Sequence, residues 1–545
     1  MPPATLDPNF FNHDAQAGGF FPLTHINPGF DIDSFIRGPG KNILVEGIRG
    51  TGKTHILKMI ASKCVDSYPE EKILPVYISL SKVSEWQGSD IRLFRIQLYA
   101  NIVAETISTI ELHKARINTQ KDGAEKAITR IKSMFGIKSE EDIDRILIKI
   151  KNINEELLRK LTYNSRLICE KIRDESSLSV GATSKQIVQF SLEDLEKLIE
   201  EKEIQSVGKT LAYENASGFI VEFFRQLKEV LGCKYVILLL DECSESSEEA
   251  QVEIFRLLKL IRGALSSDIM TNYAYFCASV YPPYATSYPS KIHGQTFNFE
   301  PVQDAGVEYL QLDELTEEYE KFFSELTRKR LEYVSRKIVA SAIDEIFENE
   351  GGFMLAAYAS NGIPRRYLEI LKQSYDNLCQ RSDSLGELKK ISQRDVESAI
   401  QIVASNQILS PSKLREEDFK VIQEIMQRIG KRNRKTETEN KEKSQPIPAN
   451  VYFTINRSQI LDYNNLLLQG CVHDKGRTRL KKYYKEEGTQ GPLLMLDLAL
   501  AHYSGAIDKR RVLDIFRKDL KANAKSGYLY CQDFDLEQFE FRRQQ

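Results

Sequence analysis

The sequence predicts an α/β chain. Its core is a doubly wound parallel sheet with a helical insertion and a helical lid, and a smaller C-terminal domain follows. Three observations predict this. The stretch "GIRGTGKT" (47–54) stands between a short apolar run, "NILVEG", and a helical pattern, "KTHILKMIASK". Continuous apolar runs alternate with helical patterns from there to about residue 283, as strands buried on both faces of a parallel sheet do. From 316 to 405 the pattern is helical throughout.

The first strand is "NILVEG", and the loop after it fits G-x-x-x-x-G-K-[ST]. Glycines let the backbone wrap closely round phosphate oxygens, so that successive N–H groups point inward. The following helix adds the positive end of its dipole. Gly47, Ile48, Arg49, Gly50, Thr51, Gly52, Lys53, Thr54 and His55 form the expected nucleotide-binding stretch. Lys53 reaches the β/γ-phosphates, and the Thr54 hydroxyl is placed for Mg²⁺. No N-K-x-D guanine motif occurs, so ATP is the expected nucleotide.

The second strand candidate is "ILPVYISLSKV" (73–83). After a helix come residues 111–175, dense in Lys, Glu and Ile at helical spacing, which read as a protruding helical insertion. It would be a partner-binding arm or a plain spacer pair. The next run, "KYVILLLDECSE" (234–245), ends in Asp241-Glu242 at the strand end where open α/β sheets bind ligands. Asp241 suits the Mg²⁺ hydration shell, and Glu242 suits polarising a water for attack on a γ-phosphate. "NYAYFCASVYPP" (272–283) is a further buried strand, whose Ser279 would lie near the γ-phosphate if the two strands are neighbours; an ordinary strand-end serine reads the same way.

In the helical region, "SNGIPRRYLEILKQSYD" (360–376) starts a helix at Gly362 and Pro364 with Arg365 and Arg366 in its first turn. Arginine there opposes the helix dipole, so binding a phosphate explains the pair better than local stability does. "KRNRKTETENKEKSQPIP" (431–448) reads as a polar linker. An amphipathic helix, "SQILDYNNLLLQGCV", and a basic hairpin, "HDKGRTRLKKYYK" with its turn at Asp474-Lys475-Gly476, then make a winged-helix-like pattern. Arg477, Arg479, Lys481 and Lys482 are the candidate nucleic-acid contacts, although many such modules serve only for packing.

Composition sets outer limits. The 545 residues suffice for two to four domains, and 41% hydrophobic with 28% charged content is ordinary for a globular protein. No apolar run is long enough for a transmembrane helix, and the N-terminus lacks the basic-then-apolar order of a secretory signal. The eight cysteines include no C-x-x-C pair and read as reduced cytosolic thiols. The net charge of −3 is uneven. Residues 431–545 carry 22 basic and 15 acidic side chains, a surplus of +7, which leaves −10 on the rest. That asymmetry suggests an anionic partner for the C-terminal region, or simply a solvated basic face.

Taken together, "GIRGTGKT", "VILLLDE", the polar residue ending the next strand and "GIPRR" in a helical lid resemble the AAA+ and STAND branch of P-loop ATPases. Their order is most like the origin-recognition-complex-like family, including bacterial relatives in mobile-element and phage-defence contexts. The resemblance implies a P-loop ATPase core, ATP and Mg²⁺ as cofactors, and a cytoplasmic, ATP-driven oligomeric switch. Its partners would be further copies of itself, DNA or a separate effector protein, and no membrane. It implies Lys53, Glu242, Ser279 and Arg365 or Arg366 as catalytic and sensing residues, with Thr54 and Asp241 at the metal. Serine departs from the asparagine common at the Ser279 position, and no arginine finger is identifiable, Arg256 and Arg262 being no more than candidates. The implied domains are an N-terminal segment (1–41), the core (42–310, with the insertion), the lid (311–405), a winged-helix-like domain (413–490) and a helical or extended C-terminal region (491–545).

Overall fold

A computed structural model describes residues 8–12, 20–27, 29–37, 42–82, 91–113, 216–263, 272–382, 390–440, 448–454, 463–479 and 490–520. The insertion expected at 111–175 lies outside the described residues from 114 onward. The chain divides into two compact units. One is Phe30–Glu46 with Lys53–Tyr309, and the other is Met1–Gly29 with Gly47–Gly52 and Leu310–Gln545.

The first unit is the α/β core. Strands β1 (Ile43–Glu46), β2 (Ile73–Ser79), β3 (Tyr235–Asp241), β4 (Ala274–Val280) and β5 (Gly306–Tyr309) form one sheet in the order β2-β3-β4-β1-β5. Every pairing is parallel. β1, β3 and β4 are buried along their whole length, which is what their continuous apolar runs require. Helix α1 (Lys53–Asp66) connects β1 to β2 and packs against the sheet; α2 (Ile91–Leu112), α3 (Ala216–Leu231) and α4 (Glu248–Arg262) pack against one another. The chain moves one way along the sheet from β1 to β2 and the other way from β2 through β5. Right-handed crossovers send such connections to opposite faces, and neighbouring β1 and β4 mark the point at which the strand order reverses.

Local chemistry fixes the ends of α4. Ser247 caps it by accepting from the Ala250 N–H at 3.3 Å. Glu248 and Glu249 fill the first turn and Lys259 and Arg262 the last, so each charge matches its end of the helix dipole. Buried Asp304 holds both of those cations, with Lys259 at 2.7 Å. Beneath the helices, Glu253 is buried and takes hydrogen bonds from Arg95 at 2.9 Å and the Tyr99 hydroxyl at 2.5 Å.

The second unit contains the expected helical region and a small antiparallel sheet. Helices α5 (Glu317–Ser335), α6 (Glu350–Ala359), α7 (Pro364–Ser382) and α8 (Gln393–Val403) build the helical part, and Ser392 with Asp395 closes a capping box on α8. Buried Arg330 of α5 anchors the N-terminal segment by donating to the carbonyls of Phe10 (2.9 Å) and Asn12 (2.6 Å). Strands β6 (Tyr452–Thr454), β7 (Val472–Arg479) and β8 (Gln490–Leu496) pair antiparallel in the order β6-β8-β7.

Three expectations for this region change. Residues 431–440 are not linker: they finish helix α9 (Glu416–Asn440), because Asn433 turns inward. Its amide donates to the carbonyls of Asn450 and Ala506 and accepts from the Asn450 N–H at 3.0 Å. The helix expected at 458–472 is short among the described residues, Asn464–Leu468, and the chain is already strand at Val472. Asp474-Lys475-Gly476 is not a hairpin turn. β7 runs through it, and the register against β8 shifts between Asp474 and Arg477 in a bulge.

Candidate nucleotide site

Three parallel strands end in polar residues, Ser79 on β2, Asp241 on β3 and Glu46 on β1, and Ser279 is the last residue but one of β4. Asp241 is fully buried, yet each of its oxygens is satisfied. Oδ1 accepts from the Ser279 hydroxyl at 2.6 Å and from the Glu242 N–H at 3.1 Å, and Oδ2 accepts from the Tyr77 hydroxyl at 2.9 Å. Burial, followed by the charge of Asp241, raises the Tyr77 pKa well above its ordinary value, so Tyr77 stays a donor.

Ser279 is a connector. Its oxygen donates to Asp241 and accepts from the Glu242 N–H at 2.8 Å. This holds Glu242 in the left-handed region at φ 67°, an uncommon conformation for a side chain of that size. The Glu242 carboxylate is held as well: Oε2 accepts from the Ser79 hydroxyl and the Ser81 N–H, both at 3.1 Å. The strand-end carboxylates therefore differ in situation, one buried and locked by three donors, the other half-buried beside serines. Burial also pushes the neighbouring Cys243 thiol far up, so it is no nucleophile.

Lys53 and Thr54 open α1, with His55 in the same turn. The Lys53 ammonium stands 4.5 Å from the centre of the Tyr281 ring, a cation–π distance. Tyr281 is itself held by its N–H donating to Ser244 Oγ at 2.9 Å and its hydroxyl bonding to Glu245.

The loop Gly47–Gly52 belongs to the second unit, together with the first turn of α7. It is tightly wound. The Thr51 hydroxyl donates to the Ile48 carbonyl at 2.9 Å, and a Cβ on Gly47 would lie 2.5 Å from Thr51 Oγ1. Gly50 and Gly52 have φ of 85° and 98°, and a Cβ on Gly50 would meet Ile363 and Arg365 at about 3 Å. The Gly50 carbonyl accepts from the Arg365 N–H at 3.3 Å. The two neighbouring arginines have different surroundings. Arg365 is exposed. Arg366 is buried, its guanidinium bonded to Asp497 and donating to the Gly470 carbonyl at 3.3 Å.

Within the α/β unit, Thr54 and Asp241 are groups of the kind that would hold a hydrated divalent cation. Asp241 has used three of roughly four acceptor positions, so one lone pair of Oδ2 is left over, on a side chain that is fully buried. Among the described residues no cluster of three or more His, Cys, Asp or Glu could cage a metal.

Other expected residues have other surroundings. Arg256 pairs with Glu253 and Arg262 with Asp304, so each arginine-finger candidate is engaged within its own chain. Arg477 and Arg479 lie on β7, while Lys481 and Lys482 lie outside the described residues. Sequence reasoning missed Tyr77, Ser79, Ser81 and Tyr281. The signal available was polar residues at the carboxyl ends of strands next to the motif-bearing ones.

No family model matches the chain, and no curated protein matches it significantly. Two solved structures are similar to it. One is the Aeropyrum pernix ORC2 protein in ADPNP–ADP complexes, 14% identical, covering 96% of this chain and 99% of that one with a TM-score of 0.36. The other is the Aeropyrum pernix ORC1 protein in complex with DNA, 10% identical, covering 91% of each chain with a TM-score of 0.31.

Proposed function

We propose that the chain is a Mg²⁺-dependent ATPase of the AAA+/STAND type that works as an ATP-driven switch, with DNA as its partner. The observation that carries the reading is the strand-end pair: Asp241 locked by Tyr77, Ser279 and a backbone N–H, and Glu242 presented beside it in a left-handed turn. A continuous phosphate-loop sequence, Gly47 to Thr54, supports it.

In this reading the backbone N–H groups of Gly47–Gly52 and the Lys53 ammonium hold the phosphates. Thr54 and Asp241 hold Mg²⁺, which supplies charge neutralisation on the β- and γ-phosphates. Glu242 orients a water and takes its proton, and Ser279 keeps the Glu242 backbone in register with Asp241. Arg365, exposed on the turn whose N–H meets Gly50, is the arginine assigned to the γ-phosphate. Catalysis is then positioning plus electrostatics. The output is assigned to the basic residues Arg477, Arg479, Lys481 and Lys482.

The test is ATP turnover by the wild type and Glu242→Gln, each with and without duplex DNA. The expected result is turnover that duplex DNA changes and that Glu242→Gln lowers by about a hundredfold or more, while ATP still binds. Equal turnover by the two proteins would remove Glu242 as the base. Turnover indifferent to DNA would remove DNA as the partner.

A further inference from the structure

Within the second unit, one helical turn connects the phosphate loop to the C-terminal sheet. The Arg365 N–H donates to the Gly50 carbonyl, and the next residue, Arg366, sends its guanidinium to Asp497, the residue directly after β8. Asp497 is fully buried and has several roles. Its Oδ1 caps α10 (Leu498–Tyr503) by accepting from the Leu500 N–H at 3.1 Å, and its Oδ2 meets His473 Nε2 of β7 at 3.0 Å. Burial holds the His473 pKa below its ordinary range against the pull of Asp497, so Arg366 is the cation that balances the carboxylate.

The surrounding contacts run the same way. Gly470, at φ 67°, has no room for a Cβ, which would lie 2.9 Å from the Arg366 guanidinium and 3.6 Å from Ile48 of the phosphate loop. Three further contacts tie the start of the helical region and the turn before α7 to the same strands. Gln311 donates to the Asp474 carbonyl at 3.0 Å, Lys475 pairs with buried Glu314 at 2.6 Å, and the Leu498 N–H donates to Asn361 Oδ1 at 2.7 Å. An apolar interface would hold these parts together equally well and at lower desolvation cost. Directional, buried polar contacts instead fix one register, and a shift at either end breaks them together.

We propose that Arg366 and Asp497 are positioning residues that couple the nucleotide state of the Gly47–Gly52 loop to the β7–β8 strands. This rests on the nucleotide-binding reading above and adds its route of regulation. Arg365 follows the loop through Gly50, and Arg366, on the same turn, passes the displacement to Asp497 and so to the ends of β7 and β8. By reciprocity, a ligand on β7–β8 changes nucleotide affinity by the same factor.

The experiment is amide hydrogen exchange of β7 and β8 with and without a non-hydrolysable ATP analogue and Mg²⁺. It is run on the full chain, on Arg366→Met, and on the double variant Arg366→Met/Asp497→Asn. The double variant removes both charges, so no buried ion is stranded and folding is retained even where the single variant fails. Analogue affinity is measured alongside. In the wild type the analogue should change exchange at Val472–Asp474 and Leu493–Leu496 by about threefold or more. In the double variant that response should vanish while affinity stays within about threefold of wild type. An unchanged response in the double variant, or no response in the wild type despite tight binding, overturns the coupling. Failure of the wild type to bind the analogue overturns the nucleotide reading itself and the coupling with it, and the affinity measurement identifies that case.

Discussion

Ser79 lies opposite Asp241 in the β2–β3 pairing, and its hydroxyl reaches one residue further to the Glu242 carboxylate at 3.1 Å. Together with the Ser81 N–H it occupies Oε2. Two donors on a carboxylate oxygen compete with any water it would orient. Ser79→Ala should therefore raise basal ATP turnover, by about fivefold for roughly 1 kcal/mol of released hydrogen bonding. The rise should disappear when Glu242→Gln is added. Steady-state turnover at saturating ATP checks it, and a fall in turnover would make Ser79 an aligning group instead.

Tyr77 and Ser279 support Asp241 from two sides, and their loss should have different effects. Tyr77→Phe strips a donor from a fully buried carboxylate, so it should cost about 1–3 kcal/mol of stability, read as a lowered thermal midpoint. Ser279→Ala removes a donor to Asp241 and the acceptor for the Glu242 N–H together. It should lower kcat about tenfold or more while leaving the ATP Kd within a few-fold, because the residue positions the base and touches no phosphate. A loss seen wholly in Kd would count against that role.

His502 gives the second unit a pH dependence. It is buried on α10, Nδ1 lies 3.1 Å from the Gln401 amide, and Nε2 has no hydrogen-bond partner among the described residues. Burial, with Lys509 adding repulsion, lowers its pKa from the ordinary 6.5 to about 4. Between those values the unfolded chain binds the proton and the folded chain does not. The associated stability is thus fully present above pH 6.5 and is lost as pH falls through the window toward 4. The ceiling is about 3 kcal/mol. His502→Leu should flatten the dependence of the denaturation midpoint on pH between about 7 and about 4.5 relative to wild type. Parallel curves for the two proteins would refute the assignment.

The legible parts of the chain share a cause. β1, β3 and β4 are buried on both faces, so burial wrote them as unbroken apolar runs, and Asp241-Glu242 stood out as charge at the end of one. β5 was not legible because Gly306–Tyr309 is a four-residue edge strand, half exposed and without an apolar run. The supports of the site were hidden for another reason. Tyr77 meets Asp241 across 164 residues and Arg366 meets Asp497 across 131, separations at which no local pattern forms. Asn433 misled for a third: an inward asparagine in a polar stretch looks like linker until its backbone partners are known.

The basic strand gives the last prediction. Arg477 and Arg479 both lie on β7, which continues past a bulge where the sequence reads as a turn at Asp474-Lys475-Gly476. Lys481 and Lys482 follow in sequence. If all four contact phosphates, replacing them together with glutamine should weaken duplex binding uniformly across DNA sequences. It should also flatten the slope of log K against log salt by about 3 to 4, since each neutralised phosphate contributes roughly 0.9. Binding isotherms from about 50 to about 200 mM salt measure this. A slope reduced by only about 1 would leave one residue at the DNA, and an unchanged slope would place the DNA-binding surface elsewhere on the chain.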